Sequence, residues 1–166
     1  MAKHLILLRH AKSSWNDSRS DDHDRQLNER GKKDAPVMAR WLREQNLTPD
    51  HVYCSTAART RATIKLMKEE WTPTPVVEYL PELYLARANV YLSTASRFSN
   101  QVNCGMLVGH NPGIEIFAGQ IADEIDHMPT CAVAVLKAEI ESWSDLEKVG
   151  TKAFRLELFQ TPNSID

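Results

Sequence analysis

The chain has 166 residues, 42% hydrophobic and 25% charged, with a formal net charge of −2. That is the balance of one ordinary globular domain spanning 1–166, and it lacks the basic surplus of a general nucleic-acid binder. The longest early apolar run, Leu5–Leu8, is too short for a membrane span or a signal core, so the chain reads as cytoplasmic, with no membrane partner.

The predicted elements follow in chain order. Lys3–Arg9 reads as a first strand, apolar on both faces and closing on Arg9-His10. Ala11–Gln26 is rich in Ser and Asp without a helical period, and a structureless stretch of this length suggests a functional loop. Asn28 is a suitable cap for a helix over about Glu29–Gln45, whose Ala35, Met38, Ala39 and Leu42 share one face, with Pro36 inside it. His51–Cys54 reads as a short strand, with Ser55 capping a second helix, roughly Ala57–Trp71. Pro75–Tyr79 is a third strand, Leu80–Leu85 a loop and Asn89–Arg97 a short helix. Asn103–Val108 is a fourth strand, followed by a helix to about Ala122 with Pro112 in its first turn. Thr130–Ala138 is a fifth strand, Glu139–Gly150 a polar excursion containing Trp143, and Lys152–Gln160 an alternating edge strand.

Strands alternating with helices predict an α/β fold with a mostly parallel sheet. The last two strands have no long helix between them, so at least one antiparallel neighbour is expected. Cys54, Cys104 and Cys131 are odd in number and widely spaced, which suits reduced, buried thiols and not a disulfide framework.

Four stretches could carry chemistry. Arg9-His10 ends one buried strand, and Gly109-His110-Asn111-Pro112-Gly113 ends another, with two glycines and a proline fixing the turn around His110. Ligand sites in parallel sheets lie outside the carboxyl ends of the strands, so two imidazoles would stand over one crevice. Ser55 to Thr63 opens a helix with Arg59 and Arg61 in its first two turns. Cations there oppose the helix dipole, and an anion between them and the backbone N–H groups would explain them. Arg59 shares a face with Thr63, and Arg61 points away. Glu82 lies in a loop at the same end of the sheet. Taken singly, Arg9-His10, the arginines and Glu82 also fit solvated surface positions.

Taken together, two guanidinium forks suit the oxygens of a phosphoryl group. One neutral imidazole can act as nucleophile and form a phosphohistidine, and the second, if protonated, adds a donor. A carboxylic acid would protonate the leaving group and then deprotonate water. Phosphate-binding Gly-rich loops, the nucleophile elbow and C-x-x-C are all missing from the sequence. The six histidines lack metal-motif spacing, which argues against zinc, although spacing alone leaves open a set of His10, His110 and a carboxylate.

Four blocks in order carry a family resemblance: Leu7–Trp15, Asp22–Gly31, Leu80–Tyr84 and Leu107–Gly113. With them, about Lys3–Phe159 resembles the histidine phosphatase (phosphoglycerate mutase-like) superfamily, and within it the small SixA-type phosphohistidine phosphatases. The resemblance implies a three-layer α/β sandwich and a metal-independent, cofactor-free phosphatase. It makes His10 the phosphorylated nucleophile, with Arg9, Arg59 and His110 as the phosphate pocket and Glu82 as the region supplying the acid. Ser13 and Asn16 match loop positions that touch phosphate in the mutase branch. Ala11 stands where the family motif has glycine, and Arg59-Thr60-Arg61-Ala62-Thr63 departs from the family's Arg-Ala-x-Gln-Thr block.

The short loops after the second and third strands leave little material for a lid, which favours a phosphorylated protein as substrate over a small phosphorylated metabolite. The function expected is removal of a phosphoryl group through a covalent phosphohistidine, foremost from phosphohistidine in a protein. The alternatives are a phosphatase of a small phosphomonoester, a phosphate-pocket binding protein without turnover, and metal-dependent hydrolysis.

Overall fold

A computed structural model describes residues 2–15 and 21–165 of the chain. Along it run β1 (Lys3–Arg9), α1 (Glu29–Glu44), β2 (His51–Ser55), α2 (Ala58–Lys68), β3 (Val76–Leu80), α3 (Ala88–Ala95), β4 (Cys104–Gly109), α4 (Gly113–Ile121), β5 (Val133–Ala138), α5 (Leu146–Val149) and β6 (Phe154–Gln160). The strands form one sheet in the order β3-β2-β4-β1-β5-β6. Pairing is parallel from β3 through β1, and β5 runs antiparallel to both β1 and β6. This is the mostly parallel, three-layer α/β sandwich, with the antiparallel exception at the C-terminal end as expected.

Period-two alternation in the buried strands builds two cores. Leu5 and Leu7 of β1 join Tyr91, Phe117 and Trp143 on one face of the sheet. Ile6 and Leu8 join Met38, Leu42, Ile64 and Met67 on the other. So α1 and α2 cover one face, and α3, α4 and α5 the other. The predicted α1 stripe of Ala35, Met38, Ala39 and Leu42 is fully buried, and the Asn28 side chain accepts from the Gly31 N–H as an N-cap. The helix runs through Pro36 unbroken.

Several sequence expectations are revised. Ala57 and not Ser55 occupies the N-cap position of the second helix, without a side-chain capping bond, and the helix ends at Lys68. Ser55 closes β2, fully buried, and its hydroxyl is committed elsewhere. The loops at 11–26 and 80–85 each hold a 3-10 turn, Asp22–Asp24 and Pro81–Leu83. The segment after β5 is not a polar excursion. Trp143 is fully buried there, with its indole N–H donating to the Val102 carbonyl at 2.8 Å, and it leads into α5. The fifth strand starts at Val133 and not Thr130, because Cys131 has φ 64° and bends the chain. All three cysteines are free, with Cys54 and Cys131 buried and Cys104 only partly so.

One close approach fixes the β4–α4 turn. A Cβ on Gly113 would stand 1.8 Å from the Ala86 carbonyl oxygen, a backbone atom that cannot swing away. Gly113→Ala is therefore expected to lower stability by about 1–3 kcal/mol, the usual cost of overpacking. Urea unfolding of the variant at constant m-value is the measurement, and an unchanged midpoint would show that the turn is not held by this contact.

Candidate active site

The site is set by two adjacent strands. In the parallel pair of β1 and β4, Arg9 is opposite Gly109, so the next residue of each strand, His10 and His110, leaves the sheet at the same level. Their ring centroids are 5.3 Å apart. The backbone around them is clamped. The His10 N–H donates to the Gly109 carbonyl at 3.2 Å, and the Cys131 N–H donates to the carbonyls of Arg9 at 3.1 Å and His10 at 2.9 Å. The Ala11 N–H donates to the Thr63 hydroxyl of α2 at 3.0 Å. The His110 N–H donates to the Tyr91 hydroxyl at 3.1 Å.

His10 is 5% exposed, and its Nδ1 lies 2.7 Å from the Ala11 carbonyl oxygen. A carbonyl can only accept, so Nδ1 carries the proton and Nε2 keeps its lone pair. Burial, helped by the nearby Arg59, Arg9 and Arg25 guanidinium groups, pushes its pKa down to about 3. His10 is therefore neutral at physiological pH, with a defined tautomer and a free nucleophilic nitrogen.

His110 is more deeply buried, and its Nε2 lies 2.7 Å from the Ser55 hydroxyl. That hydroxyl already accepts from the Ala57 N–H at 3.3 Å, so its own hydrogen is free to go to His110 Nε2. The proton of neutral His110 then sits on Nδ1, which is buried with no partner among the described residues. Burial, then His10 and Arg59, push its pKa down to about 2. The sequence suggested one neutral and one charged imidazole. In the structure both are neutral: desolvation leads in each case, joined by Arg59, Arg9 and Arg25 at His10 and by His10, Arg59 and Arg9 at His110, where the Asp22 carboxylate does not offset them. His110 can still donate, through Nδ1–H.

The arginines converge as predicted, with one addition. Arg59 is 2% exposed, on the face of α2 turned to the site, whereas Arg61 is exposed over the Tyr79 ring. Arg9 donates from Nη1 to the Met128 carbonyl at 3.1 Å. Arg25, which the sequence reading passed over, is the third guanidinium acting on His10. It donates to the hydroxyl of buried Ser13 and stacks 3.7 Å above the Trp15 ring. The Nε atoms of Arg9, Arg25 and Arg59 are all buried without a partner among the described residues, like His110 Nδ1. Four unpaired donors around one imidazole suit the oxygens of a phosphoryl group.

Ser13 is brought to the site through Arg25, while Asn16 lies outside the described residues. Glu82 is not brought in. Leu83 takes the buried side of the Pro81–Leu83 turn, so its neighbour Glu82 stands on the surface and pairs with Arg97 at 3.1 Å. Among the described residues, Asp22 supplies the carboxylate bonded to Arg59, while Glu115 acts electrostatically on Arg9. Arg59 donates to the Asp22 carboxylate from Nη2 at 3.0 Å and to the Asp22 backbone carbonyl from Nη1 at 2.7 Å, and the Tyr84 hydroxyl donates to the same side chain. Tyr84 also packs edge-on against His110, with centroids 5.5 Å apart. Asp22, Arg25 and Tyr84 lie in blocks that carry the family resemblance, but nothing in their spacing says which way a loop side chain turns.

Comparison with known proteins agrees with this geometry. The profile of the histidine phosphatase superfamily (branch 1) matches residues 5–86. An uncharacterized chloroplastic protein of Arabidopsis thaliana is 32% identical over 175 aligned positions, covering 99% of this chain and 80% of its own. The solved structure of a protein assigned as phosphohistidine phosphatase SixA of Nakamurella multipartitia superposes with a TM-score of 0.85 at 29% identity, covering 98% of this chain and 97% of its own. Its counterpart from Agrobacterium tumefaciens, assigned the same name, gives 0.81 at 31% identity, covering 96% and 99%. With the paired histidines and converged arginines already in place, these matches settle the family: the chain belongs to the histidine phosphatase superfamily, branch 1, and is of the SixA type.

Proposed function

We propose that this phosphatase removes the phosphoryl group from phosphohistidine in a protein, by way of a phosphoryl intermediate on His10. The observation that carries the reading is the Nδ1–H bond to the Ala11 carbonyl, which leaves His10 Nε2 unprotonated amid unpaired donors. Nucleophilic attack needs a free lone pair, and the three guanidinium groups with His110 Nδ1–H offset the charge of the phosphoryl oxygens.

A protein substrate is supported by the surroundings of the site. The 3-10 turn at Pro81–Leu83 is short, and Trp15, 77% exposed, stands over Arg25 beside the pocket. An exposed tryptophan next to a reactive centre suits a macromolecular partner, since aromatic residues anchor protein interfaces. The phosphohistidine assignment of the two SixA structures points the same way.

His10→Ala is expected to lose at least about a thousandfold in turnover, as when an enzyme loses its covalent nucleophile. Acid-labile, base-stable phosphate should be trapped on the wild-type chain and not on His10→Ala. A side-by-side screen of a phosphohistidine protein, sugar phosphates and p-nitrophenyl phosphate reads the substrate class. Comparable turnover in His10→Ala would end the mechanism, and a preference for sugar phosphates would end the substrate assignment.

The two lowered histidine pKa values also predict how stability depends on pH. In the unfolded chain both histidines titrate near their ordinary 6.5, but in the folded chain only near 3 and 2. Below pH ~6.5 the unfolded state binds more protons, so stability falls as the pH drops from there towards 3. Two groups give a slope of at most about 3 kcal/mol per pH unit near pH ~5. Urea unfolding across this range should show that slope, and a His10→Asn/His110→Asn double variant should flatten it.

A further inference from the structure

The reaction needs a proton for the leaving group, and the one sequence candidate, Glu82, faces Arg97 on the surface. A different carboxylate is built into the pocket mouth. We propose that Asp22 is the proton donor to the leaving group and the base that activates water in the second step; this rests on the His10 phosphoenzyme of the preceding subsection.

Three observations and one stereochemical requirement carry the assignment. Arg59 reaches from a buried, unpaired Nε out to Asp22, which takes both of its terminal nitrogens, so Asp22 stands at the outer end of a guanidinium placed to hold phosphate. Tyr84 spans the pocket wall from the His110 ring to the Asp22 carboxylate, which fixes Asp22 across the mouth from the histidine pair. The Asp22 side chain is 41% exposed, so it exchanges protons with solvent. A leaving atom must depart on the side of phosphorus away from His10 Nε2, so its acid has to be a carboxyl next to the phosphate-holding arginines and not one behind His10.

Among the described residues, the charged and titratable groups around Asp22 are Arg59 of α2, Arg25 of its own loop, Tyr84 after β3 with His23 packed edge-on against it, and, farther off, His110. In the free protein the Tyr84 hydrogen bond, then Arg59 and Arg25, hold the carboxyl at about 2. A phosphoryl group held by the Nε–H groups of Arg59 and Arg25 sets a dianion beside Asp22, and that neighbouring negative charge favours the protonated carboxyl. The acid is thus made when substrate binds.

In the first step the His10 Nε2 lone pair forms a bond to phosphorus. The bond from phosphorus to the leaving atom breaks with its electron pair on that atom, which takes the Asp22 proton. In the second step the Asp22 carboxylate takes a proton from water as the water oxygen bonds to phosphorus. The pair of the N–P bond returns to His10 Nε2, and inorganic phosphate departs with Asp22 protonated again.

The test is leaving-group dependence in single-turnover phosphoenzyme formation, comparing wild type, Asp22→Asn and Glu82→Gln. The substrates run from 2,4-dinitrophenyl phosphate through p-nitrophenyl phosphate to an alkyl phosphate. Asp22→Asn should lose about 100-fold or more with the alkyl phosphate, the usual contribution of a general acid, and little with the dinitrophenyl ester, which needs no proton. Its phosphoenzyme, formed at close to the wild-type rate from the dinitrophenyl ester, should hydrolyse more slowly and accumulate. A loss equal across all leaving groups reduces Asp22 to a clamp on Arg59 and overturns the proposal. So does an unchanged or raised rate, or a leaving-group gradient in Glu82→Gln and not in Asp22→Asn. Phosphoenzyme formed from the dinitrophenyl ester without any gradient sinks only Asp22, whereas no phosphoenzyme in the wild type sinks the His10 mechanism with it.

Discussion

The register of one strand pair underlies everything else in this molecule. Were β1 to slip by one residue against β4, Arg9 would lie opposite Val108 or His110, and every β1 side chain would change faces. The two core sets, with Leu5 and Leu7 on one side and Ile6 and Leu8 on the other, forbid that slip. Apolar packing of four ordinary residues thus sets the height at which His10 and His110 leave the sheet, and hence the gap between the two rings.

From that level upward, the site is an exercise in desolvation without loss of directed donors. Burying two imidazoles among three guanidinium groups is electrostatically costly, and it keeps both rings neutral. The same burial leaves the Arg9, Arg25 and Arg59 Nε–H groups and His110 Nδ1 without acceptors among the described residues. Such donors are a liability in a stable core and an asset in a pocket whose ligand carries several acceptor oxygens. Part of the positive charge is offset by Asp22, which couples the loop at 21–26 to α2 and to Tyr84. Loop, helix and the turn after β3 therefore meet at one carboxylate.

The fastening of the loop is equally economical. Ser13 bridges to Leu27, and the Asn28 N–H donates to the Lys12 carbonyl at 3.0 Å, so the stretch returns to its starting point before α1 begins. Arg25 is delivered by that return, held by Ser13 and Trp15. Ser55, which looks like a helix cap in the sequence, instead orients His110. A hydroxyl at a strand end has the same composition in either role, and only the neighbour across the sheet decides between them.

What the sequence settles by itself is whatever repeats with a period or ends a buried run. The α1 stripe, the apolar strands, the paired Arg9-His10 and Gly109-His110 exits and the opposite directions of Arg59 and Arg61 all follow from local spacing, because helix and strand geometry fix side-chain direction, whereas the choice of Arg59 as the inward one comes from the family resemblance. The tertiary structure decided the rest: that Glu82 faces away, that Asp22, Arg25 and Tyr84 face in, that Trp143 is core, and that His110 is neutral. None of these has a local signature. They depend on which irregular segments meet above the sheet and on how much water and charge the folded chain leaves around each group, and those quantities exist only once distant residues are packed together.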